Sequence, residues 1–361
     1  MAGTPSPQTI STQQLELTER AERIKGEALL TLSHHIDLNW LREAYRRTRK
    51  DGAVGVDGQT AAGYEAHLDE NLSSLLDRFK SGRYRAPPVK RVYIPKADGK
   101  RLRPIGIPTL EDKILQRAVV MLLEPIYEVE FSNVSYGFRP GRSAHQALQA
   151  LWKGTMALHE GFLIELDIES FFDRVDHATL RAMVARRVGD GVIRRVIGKW
   201  LNAGVMEGNQ RSYPEQGTPQ GGVISPLLAN IYLTEVDAML ERAKEATRDG
   251  GWARVEYARY ADDLVILVDG YRRHAWLLKA VDRRLREELA KLDLRRNEAK
   301  SRIVDLGQGE AFGFLGFDVR RVRSLRGRWR PSTRPSSCSG RRCSGSSRSG
   351  SDASTLSPWG G

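Results

Sequence analysis

Apolar positions recur along the chain at two spacings, one typical of helices and one typical of strands. Helical spacing predicts helices over residues 21–49, 62–79, 110–128, 143–151, 177–187, 190–203, 223–240 and 271–291. Alternating or short continuous apolar runs predict strands over 89–95, 101–108, 162–168, 300–305 and 312–319, and a hairpin over 254–269. The central strands form hairpins and the helices fall irregularly between them, so the pattern favours an α+β fold over a doubly wound parallel sheet.

The two ends of the chain differ in composition from the region between them. Residues 1–20 are rich in Ser, Thr, Gln and Pro, and we expect them to be disordered. Residues 324–361 become a low-complexity tail of Ser, Arg and Gly with almost no large apolar side chain after residue 330. Such a segment buries too little surface to offset its chain entropy, so we expect the tail to be disordered as well.

Three acidic residues near strand ends are the candidate catalytic groups. Asp262 and Asp263 follow Tyr260 and Ala261 between the two apolar runs of the hairpin, and Asp167 lies near the end of the strand over 162–168. An Asp-Asp pair alone could be a solvated turn, since Asp is common in turns. With Asp167 at the end of a second strand, the pair supplies the carboxylates that two divalent cations need for in-line phosphoryl transfer.

Charge and cysteine content narrow the class of protein. The chain has 57 Lys and Arg against 45 Asp and Glu, a net charge of +12, which suits a polyanionic partner such as nucleic acid. A generally basic proteome is the alternative explanation of that charge. Its two cysteines, Cys338 and Cys343, both lie in the tail and cannot build a disulfide framework or a zinc-finger ligand set. No apolar run approaches a membrane span, so we expect a cytoplasmic protein with no membrane partner.

Six blocks of sequence, in order, resemble the reverse transcriptases encoded by bacterial group II introns. They cover residues 103–108 with 111–113, 135–143, 167–173, 217–230, 260–263 and 312–317. The resemblance runs from about residue 21 to about residue 323. It implies the fingers and palm of a right-hand polymerase, with an antiparallel palm sheet and packed helices. On this basis we expect a helical N-terminal extension over 21–85, fingers over 86–160, and a palm with the catalytic core over 161–323.

The resemblance implies an RNA-directed DNA polymerase, a nucleotidyltransferase that supports intron mobility. Its partners would be an RNA template (intron RNA), a DNA primer and dNTPs, and its cofactor would be two Mg²⁺ ions. Asp167, Asp262, Asp263 and the backbone carbonyl of Ile168 would hold the ions, which in such sites lie roughly 3.5–4 Å apart and clamp the attacking and leaving oxygens. The sequence leaves the oligomeric state open.

The same resemblance implies residues that bind the nucleotide. Lys96 and Arg103, on opposite arms of a basic hairpin, would contact the triphosphate, and ordinary surface cations are the alternative. Phe172 would pack under the sugar and select deoxynucleotides, with a core aromatic as the alternative and Phe171 beside it expected in the core. Gln220 would bind the nucleotide or template by a hydrogen bond, unless its glycine-rich loop is merely structural.

Further positions have two interpretations each. Lys300 resembles a proton donor to the leaving pyrophosphate, or is a solvated lysine at a strand edge. Phe314, Leu315 and Gly316 resemble the hairpin that grips the primer, or form core packing. The last pair, Arg139 and Arg142, would hold template phosphates or cap the region of the helix that starts at Ser143.

The chain departs from the family pattern near residue 331. Family members continue there into a helical thumb that doubles as the maturase domain, and we expect the thumb to be missing here. A frameshift at that point is our hypothesis for the abrupt change in composition. Alternative functions are an RNA-binding splicing cofactor (maturase), a domesticated reverse transcriptase in phage defence or CRISPR adaptation, and an inactive truncated product.

Overall fold

The described residues of the computed structural model are 7–95, 102–158, 160–208, 210–213, 216–218, 221–249, 253–323 and 329–335. Their α-helices are α1 (Pro7–Arg23), α2 (Leu38–Arg47), α3 (Ala61–Glu65), α4 (Leu68–Lys80), α5 (Leu110–Glu128), α6 (Ala144–Ala157), α7 (Phe171–Arg174), α8 (His177–Arg187), α9 (Gly191–Leu201), α10 (Ser225–Tyr232), α11 (Thr234–Asp249) and α12 (Ala275–Lys291). Short 3-10 helices lie at Ser33–His35, Arg272–His274 and Leu306–Gln308.

Three sheets connect these helices. The strands are β1 (Val89–Pro95), β2 (Leu102–Ile107), β3 (Gly161–Leu166), β4 (Val205–Glu207), β5 (Gln210–Ser212), β6 (Val255–Tyr260), β7 (Asp263–Asp269), β8 (Arg302–Asp305), β9 (Phe312–Phe314), β10 (Phe317–Arg323) and β11 (Trp329–Pro335). Their orders are β2-β1-β4-β5, β6-β7-β3-β8 and β11-β10-β9. Pairing is antiparallel except where β1 meets β4 over two residues. The predicted α+β class is confirmed.

The central sheet β6-β7-β3-β8 is covered on both faces. Side chains alternate across β3, so Ile164 packs into the larger apolar core and Leu163 into a second, smaller core. Helix α11 contacts β6 and helix α12 contacts β7. Helix α6 also lies against β6, and its side chains share the smaller core with those of β9 and β10. Because β3 is buried on both faces, its sequence is a nearly continuous apolar run that ends where Asp167 reaches the edge of the sheet.

The helical part of the chain is organised around α5. This helix begins and ends as predicted, with Thr109 as its N-cap, and most of its side chains are buried. Helix α1 packs on it through Ile10, Leu17 and Ala21, which are almost fully buried. The expected disorder over residues 1–20 is therefore wrong for residues 7–20, because three apolar side chains near helical spacing suffice to anchor an otherwise polar helix.

Some predicted helices are interrupted. The single helix expected over 62–79 is two helices, α3 and α4, and that over 223–240 is divided between α10 and α11. Within 21–49 only the end of α1, the short helix Ser33–His35 and α2 are helical. Apolar spacing continues across these short breaks, which explains why it does not reveal them.

The expected disorder of the tail is wrong for residues 329–335, which form β11. This strand pairs with β10 from Phe317↔Pro335 to Arg323↔Trp329. Pairing with β10 orders this segment, and its position at the edge of the sheet tolerates Pro331 and Pro335. In the part of the chain that the structure describes, no helix is long and apolar enough to cross a lipid bilayer.

Candidate active site

Asp262 and Asp263 lie at the turn between β6 and β7. Tyr260 pairs with Asp263, so the loop of the hairpin has two residues, Ala261 and Asp262. Ala261 has φ of +56°, in the left-handed region that costs an L-residue about 1–2 kcal/mol. The turn therefore presents both carboxylates at the edge of the sheet in a backbone conformation that its surroundings must stabilise.

Arg259 stabilises this turn from inside the protein. Its side chain is 1% exposed, and its Nε donates to both carboxylate oxygens of Asp237 at 2.9 and 3.1 Å. Its Nη1 donates to Asn230 Oδ1 and to the carbonyl oxygen of Ala261, both at 2.9 Å. We missed these residues in the sequence, although an arginine within an apolar strand was a signal, since a buried charge needs a partner.

A glycine lets a second segment approach the turn. The backbone at Tyr136 donates to the carbonyl of Arg259 at 2.8 Å, and Asn230 Nδ2 donates to the carbonyl of Gly137 at 2.8 Å. A Cβ atom at Gly137 would lie 2.3 Å from the backbone nitrogen of Ala261. The close contact between residues 135–137 and the turn thus requires glycine at position 137.

Asp167 is positioned by the segment that follows α12. Its carbonyl accepts from the backbone N–H of Asn297 at 2.8 Å, and its N–H donates to Ser301 Oγ at 3.0 Å. Lys300 Nζ donates to both carboxylate oxygens of Asp167, at 3.1 and 3.0 Å. The structure thus places Lys300 at Asp167, and it adds Ser301 as a residue that positions Asp167 and that the sequence did not reveal.

The backbone of Ile168 leaves its carbonyl oriented away from that segment. Ile168 and Arg296 form an isolated antiparallel bridge whose two hydrogen bonds join Glu169 to Arg295 and Asn297 to Asp167. Bonds that flank a residue pair in this way do not use the pair's own N–H and C=O groups. The Ile168 carbonyl is therefore outside this pairing, as its predicted role as a metal ligand requires.

The three aspartates and Glu165 create a concentration of negative charge. Burial, and then the charge of Asp167, raises the pKa of Asp262 above its usual range. Asp263 reaches solvent at the edge of the sheet, but partial burial and the charges of Asp262, Asp167 and Glu165 raise its pKa to about 6. Such mutual repulsion is what a bound divalent cation relieves, so this set of oxygen donors fits a metal.

The donors are not arranged as a finished metal cage. Among the described residues, no three or more His, Cys, Asp or Glu side chains converge as ligands of one ion. Asp167 is instead paired with Lys300. Asp167, Asp262, Asp263 and the Ile168 carbonyl could hold cations, and the number of ions remains a prediction.

Arg103 lies on β2 opposite Ile94 of β1. Its charge acts to lower the pKa of both Asp262 and Asp263, against the effect of burial, so it is close to the carboxylates. Binding of nucleotide phosphates by Arg103 stays a prediction, and its proximity to the carboxylates is compatible with that role. Lys96, its predicted partner, lies outside the described residues.

Phe172 is half-buried at the start of the short helix α7. Its ring meets Phe171 edge-on at 5.2 Å, and Phe171 is in the core as expected. The Phe172 carbonyl accepts from the N–H of Thr218 at 2.8 Å, and His177 Nε2 lies 2.5 Å from the carbonyl of Gly217. Gln220 itself lies outside the described residues, but these contacts connect the start of its loop to Phe172.

Phe314, Leu315 and Gly316 form the end of the β9–β10 hairpin. Leu315 and Gly316 both have positive φ, +52° and +79°, as a two-residue hairpin turn requires. Phe314 is 3% exposed and packs in the smaller core, so core packing accounts for its side chain. The N–H of Gly313 donates to Glu165 at 3.4 Å, which brings this hairpin next to the carboxylates.

The expectation that Arg139 holds template phosphates is wrong. Its guanidinium is buried, pairs with Glu128 at 2.8 Å, and donates to the carbonyls of Ser132 and Ser135. Arg142 donates to Asn133 at 3.1 and 3.0 Å. Neither arginine caps α6, because Ser143 and Gln146 form a reciprocal capping box there.

Residues 94–319 match the family described as "Reverse transcriptase (RNA-dependent DNA polymerase)". The chain belongs to this reverse transcriptase family. It is 37% identical over 320 residues to Protein YkfC of Escherichia coli K12. The aligned region covers 81% of this chain and 83% of YkfC. It is 41% identical over 190 residues to the group II intron-encoded protein LtrA of Lactococcus lactis, covering 53% of this chain and 31% of LtrA. Nuclear intron maturase 2 of Arabidopsis thaliana is 30% identical over 217 residues, 47% of this chain and 29% of that protein.

These similarities confirm the predicted family, group II intron reverse transcriptases and maturases, and with it the predicted class of function. The antiparallel sheets with packed helices are consistent with the fingers and palm of a reverse transcriptase. Reverse transcriptases act on nucleic acid and nucleotides and generally use divalent metal ions. The match spans less than a third of LtrA, so the activities of that whole protein are not transferred here.

Proposed function

We propose that this reverse transcriptase extends a DNA primer with dNTPs on an RNA template, that its template is intron RNA, and that it serves intron mobility. The observation that carries the proposal is the meeting of Asp167, Asp262 and Asp263 at one edge of the central sheet, with Arg103 close by. On this proposal the fingers span residues 86–160 and the palm 161–323. We expect the protein to act in the cytoplasm.

The three carboxylates and the Ile168 carbonyl would hold two Mg²⁺ ions. Mg²⁺ suits the site because it favours a few carboxylate oxygens together with substrate phosphates. When bound, the ions supply positive charge that activates the primer 3′-hydroxyl and neutralises the triphosphate. Arg259, Asn230 and the close approach of Gly137 keep the turn in its strained form before substrate arrives.

The remaining predicted residues bind and select the nucleotide. Arg103 and Lys96 hold the triphosphate, and Gln220 contacts the nucleotide or template. Phe172 lies under the sugar and excludes a 2′-hydroxyl. The primer 3′-hydroxyl oxygen attacks the α-phosphorus, its proton passes to solvent water, and the bond between the α-phosphorus and the pyrophosphate oxygen breaks.

Lys300 supplies a proton to the departing oxygen. Its ammonium group is already at Asp167, so it needs to exchange this carboxylate for the pyrophosphate when cations occupy the site. Leu315 and Gly316 at the tip of their hairpin, with Phe314 behind them in the core, position the primer end.

A maturase role is the second candidate function. It is favoured by the similarity to a relative named as an intron maturase. RNA binding without polymerisation would make the carboxylates dispensable, whereas here they lie together at one edge of the central sheet, and Arg259 supports the turn that carries two of them. The polymerase function is therefore the better supported of the two.

Primer extension on poly(rA)/oligo(dT) with Mg²⁺ tests the proposal. We expect the protein to incorporate dTTP, and we expect Asp262→Ala to lower the rate at least about a hundredfold, since a charge-stabilising contact at the reacting centre is removed. Asp269→Asn, at the end of β7 that lies away from the turn, is the control and retains the rate. Absence of incorporation by the folded protein, or full activity of Asp262→Ala, contradicts the proposal.

A further inference from the structure

A basic surface lies away from the carboxylates, on α8, α9, the strand β5 and the segment between α4 and β1. We call it the basic hollow; its members are Arg85, Arg181, Arg194, Arg195, Lys199 and Arg211. They line two adjoining depressions of about 450 and 280 Å³, which share Arg181 and Arg195. No acidic side chain lines either depression among the described residues. The surface therefore concentrates positive charge that the protein itself does not neutralise.

Most of these cations are not engaged in ion pairs. Arg85, Arg181, Arg194 and Arg195 are exposed, and within the described residues none has a carboxylate at ion-pair distance. Elsewhere the arginines are commonly paired, as Arg46 is with Glu43. The surplus positive charge of the chain is thus unevenly distributed, and part of it is concentrated in the basic hollow.

The cations are held close together by the fold. Lys199 Nζ donates to the carbonyls of Gly82 and Tyr84, which ties the loop after α4 to α9. A Cβ atom at Gly82 would lie 2.6 Å from Arg195 Nη1, so Arg195 lies directly over that loop. Burial, and then the charges of Arg195 and Arg85, lower the pKa of Lys199, which reflects like charges near one another.

The basic hollow is distinct from the nucleotide site. Arg211 is on β5 and Arg103 is on β2, at opposite edges of the sheet β2-β1-β4-β5. Three strand spacings separate these edges, about 14 Å. Tyr213 is 62% exposed and lies beside Arg211. The Arg211 guanidinium is 4.8 Å from the centre of the Tyr213 ring. Phosphate-binding cations next to an exposed aromatic ring are typical of surfaces that bind a nucleic-acid strand.

We propose that the basic hollow binds the phosphate backbone of RNA that lies outside the catalytic cleft. This inference rests on the proposed function, because it assumes that the chain acts on RNA much longer than the stretch that the cleft encloses. The hollow would anchor such RNA while the short template–primer duplex is extended elsewhere. An acidic protein is the other class of partner, and the exposed Tyr213 favours RNA over it.

The triple variant Arg181→Gln, Arg194→Gln, Arg195→Gln tests the proposal in the full chain. We measure binding to a structured RNA of several hundred nucleotides at a series of salt concentrations. Loss of three phosphate contacts should weaken binding at least about tenfold and lower the slope of log affinity against log salt by about two. The control Arg42→Gln, Arg46→Gln, Arg49→Gln removes the same formal charge from arginines paired with acids, and it should change binding little.

Primer extension on a short RNA–DNA hybrid, in which no RNA extends beyond the cleft, tests the proposed function without the basic hollow. It therefore distinguishes failure of this proposal from failure of the proposed function. The triple variant should extend it at the parental rate and unfold at the parental temperature. If the control variant lost RNA binding as much as the triple variant in the basic hollow, the loss would be explained by net charge alone. That result would overturn the proposal. Parental RNA binding by the triple variant, with lost binding of poly-L-glutamate, would identify a protein-docking surface and overturn it too.

Discussion

Arg259 supports, from inside the protein, the turn that carries Asp262 and Asp263. Its pair with Asp237 is almost fully buried, with the side chains 1% and 2% exposed. Removing one partner of such a pair costs on the order of 3–5 kcal/mol, because the other charge stays buried alone. Replacing both partners by apolar side chains avoids that cost, but it also removes the donor to the Ala261 carbonyl.

We therefore expect Arg259→Leu to unfold at markedly lower temperature, and the double variant Arg259→Leu/Asp237→Leu to recover most of the stability. Extension activity should stay at least about tenfold below the parent in both, since neither can bind Ala261. Thermal denaturation and primer extension on the same preparations measure the two effects. Recovery of activity together with stability would show that Arg259 serves the fold alone.

The pKa of Asp263, about 6, predicts how activity depends on pH and cation concentration. Below that pH the carboxyl keeps its proton, so a cation must displace it before binding. The Mg²⁺ concentration for half-maximal extension should rise up to about tenfold for each pH unit below 6. In Asp263→Asn this rise should be much weaker, and an equal rise in parent and variant would assign the proton to another group.

Phe172 should control the choice of sugar. With the ring removed in Phe172→Ala, the space beneath the sugar admits a 2′-hydroxyl, and we expect ribonucleotide use relative to deoxynucleotide use to rise at least about tenfold. Phe171→Leu is the control, since Phe171 is a core side chain. Unchanged selectivity in Phe172→Ala, measured as the ratio of kcat/KM values, would leave Phe172 as core packing only.

At the scale of elements, the contact of residues 135–137 with the turn requires that position 137 be glycine, which has no side chain. The added methyl group of Gly137→Ala would displace the backbone of Ala261, so the two aspartates should move and the extension rate fall at least about tenfold. Gly191→Ala, where a Cβ atom meets nothing within 4 Å, should be silent. Parental activity in Gly137→Ala would show that the turn does not need this support.

Helix α5 carries a buried acid whose protonation affects stability. Burial raises the pKa of Asp112 to about 7, against the hydrogen bond from Trp200 Nε1 at 3.0 Å, while its ordinary value is 3.8. Between about pH 4 and pH 7 the unfolded chain has lost this proton and the folded chain keeps it, so stability falls as pH rises.

Asp112→Asn keeps an acceptor for Trp200 and cannot ionise. It should therefore raise the free energy of unfolding at pH 8 by an amount on the order of 4 kcal/mol and remove that part of the pH dependence. Urea unfolding of parent and variant at pH 5 and pH 8 measures this. An identical pH dependence in both proteins would contradict it.

The elements show what apolar spacing can and cannot predict. It located α5 and the β6–β7 hairpin, since both are long or strongly apolar and their burial follows from their own sequence. It missed α1, whose few apolar side chains depend on α5, and β11, which is ordered by pairing with β10. Elements that draw their order from a distant partner carry too little local signal to be predicted.

At the scale of the whole molecule, the candidate site combines segments that are far apart in sequence. The sequence could predict that the acids at 167, 262 and 263 lie together, because each falls at or near the end of an apolar strand. Asn230, Asp237 and Ser301 could not, because each acts through a contact that exists only after the chain has folded. The clustering of the acids was thus predictable from the sequence, whereas the residues that position them were not.

The central claim is that Asp167, Asp262 and Asp263 perform RNA-templated DNA synthesis. The most direct test is to extend a DNA primer on an RNA of mixed sequence with all four dNTPs and to sequence the product, using the parent and Asp262→Asn. We predict a DNA strand complementary to the template from the parent, and none above background from the variant. A product unrelated to the template, or the same product from Asp262→Asn, would contradict the claim.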